Sequence, residues 1–219
     1  GTRNNTDYGK ESAREIIEVL APYKVLIVSG LAYGVDSIAH KLALKQDLPT
    51  VGILAHGLDR IYPDENKTLA REMIMNGGLL TDFMTKTKPD KQNFPKRNRI
   101  VAGISDATVV IETSLKGGSM ITAELANSYN KDVFAVPGKI SDTRSDGCNY
   151  LIRTNKAALV SSGKDIIEFM NWNQLPLKHQ PQRELFVELT PDEKVIVQIL
   201  RQYGITHIDE LYVKSGLRR

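Results

Sequence analysis

The chain has 219 residues, 41% of them hydrophobic and 25% charged, with a net charge of +3; that length suits one domain of ordinary size plus a small appendage, with a core burying roughly 70% of the unfolded surface. Its one cysteine, Cys148, excludes an internal disulfide and a cysteine-cluster metal site, and a reducing, cytoplasmic location is expected. No apolar run approaches the ~20 residues of a membrane span, and so small a net charge does not imply nucleic acid by itself, so the placement of charge must carry that argument.

Gly1-Thr2-Arg3 is already a turn and the first regular pattern after it is a helix, so a strand is expected ahead of residue 1. In Tyr8–Ala21, Ala13, Ile16, Ile17 and Leu20 fall at i, i+3, i+4 and i+7, one apolar face for a sheet. Lys24–Ser29 reads as a buried strand, Gly30-Leu31-Ala32-Tyr33-Gly34 as a turn, and Val35, Ile38, Ala39 and Leu42 again repeat at helical spacing. Thr50–Ala55 is a further strand, leading into His56-Gly57-Leu58-Asp59 and the stop at Tyr62-Pro63. Glu65–Met75 follows as helix and Leu79–Asp82 as a short strand.

From Thr85 the character changes. Lys86, Lys88, Lys91, Lys96, Arg97 and Arg99 face only Asp90 in this stretch, the strongest local charge bias in the chain. Phe94 and Asn98 sit among them, so fixed charges, a ring and an amide donor are packed together, a mixture that suits a nucleic-acid backbone better than a small anion. Ala107–Thr113 then has the β-branched form of a strand covered on both faces. Lys116–Ser119 breaks it, and Ser119–Asn130 resumes at helical spacing. Strand, glycine turn and helix together offer free backbone N–H groups and a positive helix end to a phosphate.

Asp132–Val136 is the next strand, followed by a polar loop over Gly138–Gly147, a short helix around Tyr150–Arg153, a strand over Ala157–Ser161 and a helix over Lys164–Met170. This alternation predicts a Rossmann-like, doubly wound, mostly parallel sheet over residues 1–170. Residues 171–189, with Pro176 and Pro181, break the rhythm and read as a linker. Thr190-Pro191-Asp192-Glu193 is a helix start with a capping box, Val195, Ile196, Ile199 and Leu200 give its apolar face, and Gly204 ends it. A second short helix at Ile208–Val213 makes residues 190–219 resemble the start of a winged-helix or helix-turn-helix module, truncated before a recognition helix or wing.

The motifs together resemble the DNA-processing protein A family (DprA, also called Smf) from Gly1 to about Met170. The matching positions are Gly1-Thr2-Arg3, Ser29-Gly30-Leu31-Ala32-x-Gly34 with Asp36 and His40, Gly57-Leu58-Asp59 with Tyr62-Pro63 and Asn66, and Phe94-Pro95-x-Arg97-Asn98-Arg99-Ile100 with Gly103. Gly118-Ser119 with Ile121-Thr122, Val136-Pro137-Gly138 and Gly147-x-Asn149-x-Leu151-Ile152 complete the series. The resemblance implies a single-stranded DNA binding protein of natural transformation that protects incoming DNA, associates as a homodimer and helps load the RecA recombinase. Three positions depart from the pattern. Tyr33 stands where many relatives carry arginine, Asp64 where some carry lysine, and Gly117 where serine is usual.

The expected mechanism is electrostatic tracking of a single strand along the carboxyl edge of the sheet, with no catalysis, cofactor or metal. Arg3, Ser29, Gly30, Lys96, Arg97, Asn98, Arg99, Gly118 and Ser119 come from different turns that a doubly wound fold gathers at one crevice, while Phe94 or Tyr33 stacks a base. Structural alternatives stay open at single residues: Phe94 as core, Gly30 and Gly34 as mere turn formers, Asp36 at the helix start and His40 against a polar neighbour. The rival reading is an enzyme. Gly117-Gly118 followed by Glu124 partly resembles the glycine loop of nucleotide phosphoribohydrolases, Rossmann-like enzymes that act on nucleoside monophosphates, with Met120 in place of its second glycine.

Overall fold

The computed structural model describes residues 1–172 and 189–217, and the chain divides after residue 173 into two compact units. In the first unit, helices α1 (Asp7–Leu20), α2 (Val35–Lys45), α3 (Lys67–Met75), α4 (Asn93–Ile104), α5 (Gly118–Ser128), α6 (Asp146–Arg153) and α7 (Gly163–Phe169) alternate with six strands. These are β1 (Ile27–Ser29), β2 (Thr50–Ile53), β3 (Gly77–Leu80), β4 (Ala107–Val110), β5 (Asp132–Ala135) and β6 (Ala158–Leu159). Every strand pair is parallel. The result is the Rossmann-like α/β architecture expected from the alternation.

The strands are hydrogen-bonded as two halves, in the orders β1-β2-β3 and β4-β5-β6. No hydrogen bond joins β1 to β4 among the described residues, and Ile27 and Val28 of β1 and Ala107 and Val109 of β4 are only half-buried.

Period-2 alternation assigns the faces of the second half. Phe134 and Val136 pack with Ile111, Val160 and the apolar stripe Ala13, Ile16 and Leu20 of α1, joined by Ile166 and Ile167 of α7. Val133 and Ala135, pointing the other way, pack with Val110 and with Met120, Ala123 and Ala126 of α5 and Leu151 of α6. Each fully buried side chain of the size of Phe134 stabilises the fold by about 1.5–3 kcal/mol. The start of α1 is tied to this layer through Thr6, whose hydroxyl accepts from Gly9 N at 3.0 Å. The Thr6 amide and hydroxyl both donate to the buried Glu112 carboxylate.

Several elements differ from expectation. β1 begins at Ile27, three residues later than expected, because Ala21–Tyr23 forms a 3-10 turn closed by Lys24 at φ +52°, and the strand is half-buried where a buried one was expected. The basic stretch before Ala107 contains α4, and Pro95 is tolerated there because it lies in the first turn, where its missing N–H would have no intrahelical partner. β3 begins at Gly77, two residues earlier than expected; Gly77 and Gly78 carry no side chains to reveal the strand, and an ordinary side chain at Gly77 would collide with the Thr50 backbone.

The second unit contains α8 (Pro191–Tyr203) and α9 (Ile208–Ser215). Thr190 and Glu193 form the expected capping box, Thr190 N donating to Glu193 Oε2 at 2.8 Å, and Gly204 closes α8 at φ +70°. Of the expected linker, residues 173–188 lie outside the described residues.

Candidate functional site

A crevice of 410 Å³ opens at the carboxyl ends of β1 and β4, between the β1–α2 and β4–α5 turns. This is the switch point of a doubly wound sheet, where successive crossovers diverge and the loops of both halves meet. Arg3, Ser29, Gly30, Tyr33, Phe94, Arg97, Asn98, Gly118 and Ser119 all line it. Lys96 and Arg99, expected in the same groove, do not. On α4 the residues facing the crevice are Phe94, Arg97, Asn98 and Val101, spaced i, i+3, i+4 and i+7. Lys96 and Arg99 fall on other sides of that helix; Lys96 is exposed, and Arg99 pairs with Asp82.

The lining residues do different jobs. Arg97 is only 6% exposed, and its Nη1 donates to Gly30 O at 2.7 Å and also to Ile53 O. Its Nε reaches Asn98 Oδ1 at 3.2 Å. Burial pushes the guanidinium pKa down; the Asp36 carboxylate supports the charge and Arg3 opposes it, and an arginine stays protonated at any working pH. Gly30 is glycine because of this neighbour, since a Cβ there would lie within 2.6 Å of Arg97 Cζ. Its amide is also occupied, donating to Asp36 Oδ2 at 3.2 Å beside the Ala32 amide at 3.3 Å. Burial would raise the Asp36 pKa, but nearby positive charges including Arg97, together with the Ser29 hydroxyl, hold it below the usual carboxylate range. The Gly30 and Ala32 amides and the Gly30 carbonyl of the β1–α2 turn are therefore occupied from within the protein.

Arg3 is the contrasting case. It is exposed, has no carboxylate partner among the described residues, and lies with Cζ 5.6 Å from the Phe94 ring centroid. Its backbone is fixed all the same: Val35 N, at the start of α2, donates to Thr2 O at 3.1 Å. Gly34, at φ +76°, lets the Gly1–Arg3 turn lie directly on it. Phe94 is half-buried, with Tyr62 6.1 Å from its ring.

The opposite wall is the start of α5. Gly117 N donates to Ser114 O and Met120 N to Gly117 O, whereas the amides of Gly118 and Ser119 have no acceptor among the described residues. The Ser119 hydroxyl, in a residue 9% exposed, is likewise unpartnered, and Asn98 Nδ2 donates to Gly118 O at 3.3 Å. Two free N–H groups, a free hydroxyl and the positive end of an eleven-residue helix suit a phosphate.

Val101, Thr113 and Ser114 also line the crevice, as do Thr2 and Thr122, which the sequence marked as motif positions but not as site residues. Helical spacing alone would have brought Val101 to the face that carries Phe94 and Arg97. His40 sits beneath the turn, fully buried, Nδ1 2.6 Å from Thr50 Oγ1, and burial lowers its pKa to about 4. Glu124, the acid a phosphoribohydrolase reading requires, is exposed, faces Lys156 at 3.6 Å and does not line the crevice. No group of three or more His, Cys, Asp or Glu side chains able to hold a metal occurs among the described residues, and none of their helices is long and apolar enough to cross a membrane.

A family profile described as DNA recombination-mediator protein A matches residues 1–171. The chain is 40% identical over 168 residues to the DNA processing protein DprA of Bacillus subtilis, covering 77% of this chain and 56% of that protein. It is 33% identical over 223 residues to Protein Smf of Escherichia coli, covering 99% and 59%. The chain thus spans about half the length of the curated relatives it matches. Among solved structures, DNA processing protein A of Streptococcus pneumoniae superposes with a TM-score of 0.71 at 39% identity, over 77% of this chain and 59% of that one. The Helicobacter pylori protein, described for its single-stranded DNA binding mode, does so with 0.72 at 34% identity, over 79% and 78%. A molybdenum cofactor binding protein of Rippkaea orientalis, at 18% identity and a TM-score of 0.54 over 78% of this chain and 90% of that one, shares the fold alone.

Proposed function

Because the chain belongs to the DNA recombination-mediator protein A family, we propose that residues 1–170 form a receptor for single-stranded DNA whose phosphates lie between Arg3 and the start of α5. The observation that carries this reading is the pairing, across one crevice, of an unpartnered arginine held on an aromatic ring with two unpartnered helix-start amides. Neither feature recognises a base, so binding is largely indifferent to sequence and depends on salt. Arg97 acts from beneath, as a fixed charge that holds the Gly30 turn; Lys96, the exposed residue just before it on another side of α4, extends the positive track outside the crevice. No step in this function breaks a covalent bond.

The same reading places the protein in natural transformation, in the cytoplasm, where it protects incoming DNA and as a homodimer hands it to the RecA recombinase. The facing, unpaired edges of β1 and β4 support a further strand ahead of residue 1, seated between them; it would take the floor of the crevice and leave its rim to the ligand. The helix pair α8–α9 is read as the start of a winged-helix-like module. The test is fluorescence anisotropy with labelled single- and double-stranded oligonucleotides of the same sequence at several salt concentrations. Tighter, salt-dependent binding of the single strand is expected; equal binding of both forms would overturn the reading.

A further inference from the structure

Tyr33 offers what Phe94 does not. The Phe94 ring is already engaged, by the Arg3 guanidinium and by Tyr62. Tyr33 lines the crevice with 41% of its surface exposed. The Tyr33 ring is also fixed in direction, because its hydroxyl donates to Glu65 Oε2. Glu65 belongs to the short turn Asp64–Asn66 that precedes α3. That hydrogen bond pushes the Tyr33 pKa up to about 12 and is the leading cause that holds Glu65 below its ordinary value, so the carboxylate is ionised and the phenol protonated at neutral pH. Apart from the Tyr33 hydroxyl and its own backbone amide, Glu65 has no hydrogen-bond or ion-pair partner among the described residues. An anionic acceptor thus stands at the edge of an aromatic surface, on the side of the crevice away from the start of α5.

We propose that Tyr33 and Glu65 form a base-reading wall that gives this single-strand site a local preference for guanine. The inference rests on the reading of the crevice as a single-stranded DNA site. A phosphodiester is repelled by Glu65 and drawn to Arg3 and the α5 amides, so the strand lies with its backbone on that side and its bases toward Tyr33. A base stacked on Tyr33 presents its hydrogen-bonding edge to the carboxylate. Guanine offers two adjacent donors, N1–H and the 2-amino group, which match the two oxygens of a carboxylate. Thymine offers one donor flanked by two carbonyl acceptors, which repel it, and adenine and cytosine fall between, with one amino group beside a lone pair. Tyr33 and Glu65 therefore act together, one supplying the face and the other the edge.

The experiment measures dissociation constants for thymine 12-mers carrying one central guanine, hypoxanthine, adenine or thymine, a design that avoids guanine quadruplexes. The wild-type chain is expected to bind the guanine oligomer about tenfold tighter than the all-thymine one, with hypoxanthine, which lacks the 2-amino group, between them. Glu65→Ala is expected to bring guanine and thymine within about twofold, with the guanine oligomer losing more affinity than the all-thymine one. Tyr33→Ala should weaken every oligomer. Circular dichroism melts establish that each variant is folded. A guanine preference that survives Glu65→Ala, or a folded wild type that binds all four oligomers equally, overturns the inference and leaves the single-strand site intact. Failure of the wild type to bind any of the four overturns the site itself.

Discussion

Replacing Arg97 separates a structural arginine from a ligand-binding one. In Arg97→Ala, the carbonyls of Gly30 and Ile53 lose a charged donor in a largely buried region, and the volume of the guanidinium is left empty. Hydrogen bonds to a charged group contribute about 1.5–3 kcal/mol each, and removing one member of a buried charged group's set costs about 3–5 kcal/mol. A loss of about 3–5 kcal/mol is therefore expected, a large share of the roughly 5–15 kcal/mol that hold a domain folded. With a urea dependence of about 2 kcal/mol per molar, the unfolding midpoint should fall by about 1.5–2.5 M. Gly30→Ala alone should cost about 1–3 kcal/mol, because its Cβ would lie within 2.6 Å of Arg97 Cζ. In the double variant the colliding group is gone, so the two losses should sum to less than their parts by about 1 kcal/mol or more. Equilibrium urea unfolding followed by circular dichroism reads all three. An Arg97→Ala midpoint within 0.3 M of wild type (about 0.6 kcal/mol at that slope), combined with a collapse in DNA affinity, would refute the reasoning and make Arg97 a direct phosphate ligand.

Acid should destabilise the first unit through His40. Its pKa is about 4 when folded against an ordinary 6.5, so the unfolded chain takes up the proton first. The stabilisation is complete above pH 6.5 and is lost as pH falls toward 4, amounting to about 2 kcal/mol by pH 5. Urea midpoints at pH 8 and pH 5 should show this loss in wild type and not in His40→Gln, and an equal loss in both would reject it. Gly34→Ala should cost about 1–3 kcal/mol, because φ +76° is strained for any side chain and the Cβ would press within 2.7 Å of Arg3 O. Since the displaced turn carries Arg3, affinity for single strands should fall with the melting temperature, whereas unchanged affinity would show that the Gly1–Arg3 turn is not part of the site.

What the sequence discloses depends on whether a residue's partners are local. The stripe of α1 and the Thr190–Glu193 capping box are readable because their spacing is their structure. The helix α4 is hidden by Pro95 and a run of charges, although Phe94, Arg97, Asn98 and Val101 already carry its period. The convergence of the Arg3, Gly30, Phe94 and Gly118 turns follows from strand–helix alternation, which puts successive loops at one edge. The inward turn of Arg97 does not, since its acceptors lie 67 and 44 residues away in sequence. A buried and an exposed arginine look alike in a basic run. The same distance hides why Gly30 is glycine, and it hides the Tyr33–Glu65 pair, whose members are 32 residues apart.

The central claim is that Arg3 is a free cation at a phosphate-binding crevice, and it is met most directly by the salt dependence of single-strand affinity in wild type and Arg3→Ala. Because Arg3 is exposed and bonded to no carboxylate among the described residues, Arg3→Ala should melt like wild type. It should bind a thymine 12-mer more weakly, and the slope of log affinity against log salt should be shallower by about 0.7, one single-strand phosphate contact. Identical slopes and affinities for the two proteins would contradict the account.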